Sequence, residues 1–219
     1  MSDRFSRQEK IISTEVINAT NVAIIGVGAV GREVARTLAC NGVGNLTLYD
    51  FDTVELHNCT TQGYYENDVG RPKVDCTKEE LLRINSKMGV DAVNDRWRPN
   101  KNKKFDGVFF CVDNLDMRNT LFNYFHEATG FIADSRIGGE QIRLLNVFDE
   151  KSRAHYPSTI TNDADAYADG CHIPMIKHSA GIAANMLVQS FIQYLRGGSA
   201  MLEKDRLFSL PASDLYPIN

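Results

Sequence analysis

Long apolar runs, paired cysteines and a strong excess of charge of either sign are all missing from this chain of 219 residues. No apolar stretch approaches the roughly 20 residues that a membrane-spanning helix needs, and the polar N-terminus has no signal-peptide pattern. Five cysteines, an odd number, do not make a disulfide framework, and none stands in a C-x-x-C pair of the kind that holds structural zinc. A net charge of −4 argues against nucleic acid as a general partner, because binding a phosphate backbone depends on clustered Lys and Arg. The one basic cluster, Arg96-Trp97-Arg98-Pro99-Asn100-Lys101-Asn102-Lys103-Lys104, reads as a solvated loop before a strand, with a docking surface for an acidic partner as the alternative. Together these absences predict a cytoplasmic chain that works neither on membranes nor on nucleic acid.

What is present is an ordinary globular composition, 43% hydrophobic and 24% charged, with no internal repeat and no linker. We therefore read residues 1–219 as one domain. Its first informative segment is Val22-Ala23-Ile24-Ile25 followed by Gly26-Val27-Gly28-Ala29-Val30-Gly31, after which Val30, Val34 and Leu38 recur at helical spacing. That is strand, tight turn and helix, in which Gly26, Gly28 and Gly31 allow the turn, a close backbone approach to phosphate and the packing of helix on strand. Asn41-Gly42 ends the helix, Leu46-Thr47-Leu48-Tyr49 reads as the next strand, and Asp50 follows it, 19 residues after Gly31, where a carboxylate can accept from ribose hydroxyls. A dinucleotide-dependent oxidoreductase would share every feature named so far.

The residues after Asp50 separate the readings. Asp52, Asn58, Gln62, the run Asp68-Val69-Gly70-Arg71-Pro72-Lys73, and Cys111-Val112-Asp113-Asn114 after a later strand form a polar relay that nicotinamide chemistry does not require. With Arg4-Phe5-Ser6-Arg7-Gln8 near the start, the chain resembles the ThiF, MoeB and HesA group of the ubiquitin-activating-enzyme (E1-like) superfamily, from Arg4 to about Gly197. That resemblance implies an ATP- and magnesium-dependent adenylyltransferase acting on the C-terminal carboxylate of a ubiquitin-like protein, a sulfur-carrier protein or a peptide. By motif, Gly26, Gly28 and Gly31 would form the phosphate loop and Asp50 would hold the ribose, with Asp52 in the same cofactor-binding set. Asn58, Gln62 and Lys73 would line the triphosphate, and Asp113 would hold magnesium. Arg7 would reach the ATP site of a neighbouring subunit, which implies a homodimer.

Elementary chemistry supports these roles. A terminal carboxylate has a reference pKa of about 3.3 to 3.7 and is ionised at neutral pH, so acyl-adenylate formation needs charge neutralisation and no general base. Lys73 and Arg7 are suitable fixed cations. Read singly, Lys73 would be a solvated lysine at a helix start, Asp113 an N-cap for a helix from Leu115, and Arg4 and Arg7 a basic tail. One departure stands out: the family's arginine before the motif glutamine is Thr61 here, and Arg71 is the nearby candidate to replace its charge. Thr61 also keeps open a non-catalytic, ATP-binding half of an activating enzyme.

Cys40 and Cys76 read as core, Cys111 as part of a buried strand and Cys59 as a packing residue. Cys171 differs, because it ends the acidic stretch Asp163-Ala164-Asp165-Ala166-Tyr167-Ala168-Asp169-Gly170 and precedes His172. The family resemblance allows it to take the activated acyl group as a thioester or support an acyl-persulfide; the alternative is a cysteine that only lines a crossover loop.

The remainder is scaffold. Leu115, Arg118, Leu121, Phe122, Tyr124 and Phe125 predict a helix, Phe131-Ile132-Ala133-Asp134 a strand, and Gly138-Gly139 a turn into a strand over 141–148. Ile176, Ala180, Ala183, Leu187, Phe191 and Tyr194 predict a helix over 176–196, ended by Gly197-Gly198, with Leu207–Leu210 lying extended over the fold. The fold class expected is α/β: a Rossmann-like, mostly parallel sheet flanked by helices, with an antiparallel extension in the C-terminal half. The nucleotide-binding part spans about 20–115, the crossover loop about 149–172.

Overall fold

The computed structural model describes residues 4–160 and 176–210. Its strands, in chain order, are β1 (Asn21–Ile25), β2 (Asn45–Tyr49), β3 (Gly89–Val93), β4 (Gly107–Phe110), β5 (Phe131–Gly138), β6 (Gln141–Val147) and β7 (Asp205–Ser209). They form a seven-stranded sheet in the order β3-β2-β1-β4-β5-β6-β7. The pairs from β3 through β5 are parallel; β5–β6 and β6–β7 are antiparallel. This is the Rossmann-like sheet with an antiparallel C-terminal extension that the sequence leads one to expect.

The central strands read as unbroken apolar runs because helices cover both faces. A short helix, α1 (Thr14–Asn18), precedes β1, and between β1 and β2 runs α2 (Ala29–Asn41), which ends where Gly42 adopts a left-handed conformation at φ 89°. On the same face α7 (Lys177–Leu195) packs against α2, and its Ala183, Leu187 and Phe191 join Ile24, Leu38 and Phe109 in the larger core. The opposite face is filled by α5 (Leu115–Phe125) and Tyr156 against Ile25, Phe110 and Ile132. Among the described residues no helix is long and apolar enough to cross a membrane.

Three features differ from the sequence reading. The strand beginning at Phe131 continues to Gly138, and its register explains why: Asp134 is the last residue opposite β4, yet Ser135 to Gly138 still pair with β6. The far side of β5 therefore overhangs the end of β4. Leu207 and Phe208, expected to lie extended over the fold, pair in the sheet as part of edge strand β7, fastened by Arg143, whose guanidinium spans both oxygens of Asp205 at 3.0 and 2.8 Å. Cys40, read as core, is exposed near the end of α2, while Cys76 is buried.

The segment read as a crossover loop from 149 opens with α6 (Glu150–His155), capped by Asp149 accepting from Ser152 N, and a 3₁₀ turn over Tyr156–Thr159. Tucked into the basic loop, Trp97 is buried against Tyr124 and Phe125, so only the charges around it are solvated.

Candidate active site

Strands β2, β1, β4 and β5 all end at one edge, and between β1 and β4 the order of connections reverses. Open α/β sheets bind ligands at such a switch point. A cavity of about 640 Å³ lies there, and Gly26, Gly28, Asp50, Asp52, Asn58, Gln62, Lys73 and Asp113 line it.

The turn after β1 is built by its glycines. Gly26 has φ +90°, and a Cβ on it would stand 2.5 Å from the Cys111 carbonyl oxygen; a Cβ on Gly31 would overlap Gly26 O. Gly31 thus serves the packing of α2 on the turn and does not line the cavity. Gly28 is different: its nearest neighbour would be Gln62 Oε1 at 3.7 Å, so the space above it belongs to the cavity.

Asp50 holds this turn, its Oδ2 accepting the Val27 N–H at 2.7 Å and its Oδ1 the Asp52 N–H at 2.9 Å. Burial raises the pKa of its carboxyl, and the two amides and Lys73 pull the other way. Each oxygen keeps lone-pair capacity for a further donor.

Across the cavity runs α3 (Leu56–Thr61), where Asn58 Oδ1 accepts the Glu55 N–H at 2.8 Å and leaves the amide's N–H pair as the group it can offer. Gln62 follows the helix. Its Oε1 is buried with no hydrogen-bond partner among the described residues, an orphan that a nucleotide donor would satisfy. Lys73 opens α4 (Lys73–Ile84) and is only 6% exposed, with Nζ 2.9 Å from Asp52 Oδ2. It is a buried lysine with a fixed partner, not the solvated one its position alone suggests.

Asp113 is exposed at the cavity wall, and Asn114, not Asp113, caps α5 by accepting the Met117 N–H. Cys111 lies just past β4, not inside it, and burial pushes its thiol up to about 12. Magnesium commonly keeps several waters and needs only one or two carboxylates beside substrate phosphates, so Asp113 suits that ion. Among the described residues no group of three or more His, Cys, Asp or Glu side chains gathers to hold a metal by itself.

Of three further positions, one differs from its sequence reading. Arg71 does not replace the absent arginine: it pairs with Asp68 and Glu79 and is not part of the cavity wall. Thr61 does line the cavity, but its hydroxyl donates to His57 O at 2.9 Å. Arg7 is exposed in the N-terminal turn and lies outside the cavity of its own chain. Cys171 and His172 lie outside the described residues.

Sequence reasoning missed Arg118 of α5 and Arg136 of β5, both of which line the cavity. Arg118 forms an ion pair with the fully buried Asp134 and donates to Ser135 O at 3.2 Å. Arg136 Nε lies 3.3 Å from Asp134 Oδ2, and its Nη2 donates to Thr159 Oγ1 at 2.9 Å. Tyr156 completes the cluster by donating to Asp134 at 2.8 Å. The signal was present: charges at i and i+2 in an apolar strand share one face and must be paired when buried.

A Rossmann-like α/β domain with a polar cavity at its switch point is the class that this fold and site define. The chain belongs to the ThiF family, whose model matches residues 5–212. It is 38% identical over 112 residues to the molybdopterin-synthase adenylyltransferase of Escherichia coli K12, covering 49% of this chain and 45% of that protein. It is 28% identical over 205 residues to ubiquitin-like modifier-activating enzyme 5 of Bombyx mori, covering 83% and 52%. The chain thus spans about half the length of these curated relatives. A crystal structure of E. coli MccB with MccA-N7isoASN superposes with a TM-score of 0.83 at 19% identity, covering 99% of this chain and 71% of that one, a likeness of fold.

Proposed function

We propose that this protein adenylates the C-terminal carboxylate of a ubiquitin-like protein, a sulfur-carrier protein or a peptide, using ATP and magnesium. The observation that carries this reading is the convergence of Asp50, Asn58, Gln62, Lys73 and Asp113, from four separate segments, on one cavity beside the Gly26–Gly28 turn. Asp50 accepts from the ribose hydroxyls. Gly28 and the start of α2 present backbone N–H groups to the phosphates. Lys73, kept in place by Asp52, offers a fixed cation to the charge that moves from the α-phosphate to the departing pyrophosphate, the kind of preorganised contact that lowers such a barrier most. Asp113 and the phosphates would hold magnesium, which supplies further neutralisation of the triphosphate.

The names of two relatives support the reading, one an adenylyltransferase and the other an activating enzyme for a ubiquitin-like modifier. Two extensions belong to it. Arg7, which does not reach its own cavity, acts in the site of a second copy, so the working unit is a homodimer. The thiolate of Cys171 attacks the activated carbonyl, forming a thioester and releasing AMP. The setting is cytoplasmic.

The test is ATP–pyrophosphate exchange dependent on magnesium and on an acceptor with a free C-terminal carboxylate. ATP binding without any exchange would favour a non-catalytic activating-enzyme half, the reading to which Thr61 points; binding of a nicotinamide dinucleotide in preference to ATP would favour an oxidoreductase.

A further inference from the structure

Arg32, the residue after Gly31 in α2, is fully buried yet does not line the cavity. Its guanidinium reaches two other segments of the chain. Nη1 donates to Gly63 O and lies 3.4 Å from Gln62 O, while Nη2 is 2.5 Å from Glu80 Oε2 of α4. Glu80 is held in turn by Arg36, whose Nε is 3.0 Å from its Oε1. The guanidinium carbon lies over the Tyr64 ring, 4.4 Å from the centre. That ring is itself fixed, its hydroxyl donating to Val27 O at 2.6 Å, so the guanidinium rests on a platform tied to the glycine turn.

A buried ion pair is weak evidence for stability, because desolvation offsets the Coulomb attraction and a well-packed apolar residue often does as well. What a guanidinium adds is geometry, a rigid fork that holds several acceptors at once. The carbonyls within its reach belong to Gln62, which lines the cavity, and to the glycine that follows. The helix leading into Gln62, α3, has 6 residues and is too short to hold itself by propensity. Gln62 Oε1 has no hydrogen-bond partner among the described residues, so the place of this oxygen opposite Gly28 is set through the backbone. Packing there is close: a Cβ on Gly63 would stand 3.2 Å from Arg32 Nη1 and 2.9 Å from Lys177 Cε.

From this we infer that Arg32 is a positioning residue for nucleotide binding, acting from behind the cavity wall through the Gln62–Gly63 backbone to hold the Gln62 amide against the bound nucleotide. The inference rests on the adenylation reading and adds to it a residue that does not touch the ligand.

The experiment measures the affinity of the full chain for α,β-methylene ATP with magnesium, by titration calorimetry, in wild type, Gln62→Ala, Arg32→Met and the double variant. Each single substitution should weaken binding by about three- to tenfold, the size of one hydrogen bond. The double variant should bind within about twofold of Gln62→Ala, because without the amide Arg32 has nothing left to position. Arg32→Met combined with Asp113→Ala, on the β4 side of the cavity, is the control, and there the two losses should multiply. Arg32→Lys keeps a cation for Glu80 but not the fork, so it should fall between wild type and Arg32→Met, and it carries the same cycle if Arg32→Met does not fold. Wild-type affinity in either single variant overturns the inference, as do losses at 32 and 62 that multiply. So does a control pair that departs from multiplication as far as the Gln62 pair, since Arg32 would then act on the whole cavity. Failure of the wild type to bind the analogue overturns the adenylation reading itself, a separate result.

Discussion

Lys73 Nζ lies 2.9 Å from Asp52 Oδ2, an ion pair in which the lysine is buried and the aspartate half exposed. Asp52 is thus a holder on the solvent side, and Lys73 is the member of the pair that the cavity wall keeps in place. Removing the lysine should cost the reaction far more than removing its holder.

Lys73→Ala should slow ATP–pyrophosphate exchange by about 10² to 10³, corresponding to about 2.7 to 4 kcal/mol for a single preorganised contact. Asp113→Ala should fall in the same range and weaken the magnesium dependence. Asp52→Ala should lose less than either, since half-exposed pairs contribute little by themselves. Steady-state exchange with a cognate acceptor decides this; wild-type rates in both Lys73→Ala and Asp113→Ala would refute the site.

The three loop glycines should separate into structural and ligand-facing positions. Gly31→Ala drives a methyl into Gly26 O, and Gly26→Ala combines a positive φ with a contact to the Cys111 carbonyl, so each should cost about 1 to 3 kcal/mol or more and lower Tm visibly. Gly28→Ala meets only Gln62 at ordinary distance and should leave Tm within about 2 °C while weakening ATP binding. A Gly28→Ala protein that loses stability but binds ATP normally would reverse the assignment.

Mixing Arg7→Ala subunits with Lys73→Ala subunits should restore one site in every mixed dimer. With random exchange about half the dimers are mixed, and recovery should approach about a quarter of wild-type exchange. A chain that stays monomeric at micromolar concentration, or mixing without recovery, speaks against the shared site.

With its acceptor protein and ATP, the wild type should form an adduct visible on denaturing, non-reducing electrophoresis and removed by thiol reductant. Cys171→Ala should lack the adduct yet keep pyrophosphate exchange, because adenylation precedes transfer. An adduct that survives the substitution would assign the thiol elsewhere.

The fastening of β7 should depend on pH. Burial of Asp205 pushes its carboxyl up, but Arg143 and His155 more than offset this and hold it below the usual carboxylate range. Since the folded-state value is depressed, the stability it contributes is complete above the unfolded value of about 3.9 and disappears as pH falls through the folded one. Asp205→Asn should therefore be less stable than wild type at pH 7, and the gap should close on acidification below about pH 4 in chemical denaturation. A gap that persists at pH 2 would mean the loss is steric.

How much of this was legible beforehand varies with the physics involved. The turn from β1 into α2 could be read directly, because glycine spacing and apolar periodicity are local properties of the chain. The place of Asp50 just past the second strand could be read for the same reason, since its separation from Gly31 spans one helix and one strand. Cys40 was misplaced because helical spacing gives a residue's angle on the helix but not whether a neighbour covers its last turn. Asp113 was given the capping role of Asn114 because adjacent polar residues at a helix start compete for it, and only the backbone angles choose between them.

By itself, then, the sequence determined the α/β class, the order of the parallel strands' motifs and the residue types that suit phosphate, since each follows from local spacing and side-chain chemistry. Tertiary structure alone decided that Lys73 is buried on Asp52, that Arg71 is engaged away from the cavity, and that Arg118, Asp134 and Arg136 meet at its wall. Those contacts join residues whose partners lie on different strands and helices, and the register of β5 past the end of β4, which no local pattern encodes, is what brings the last three together.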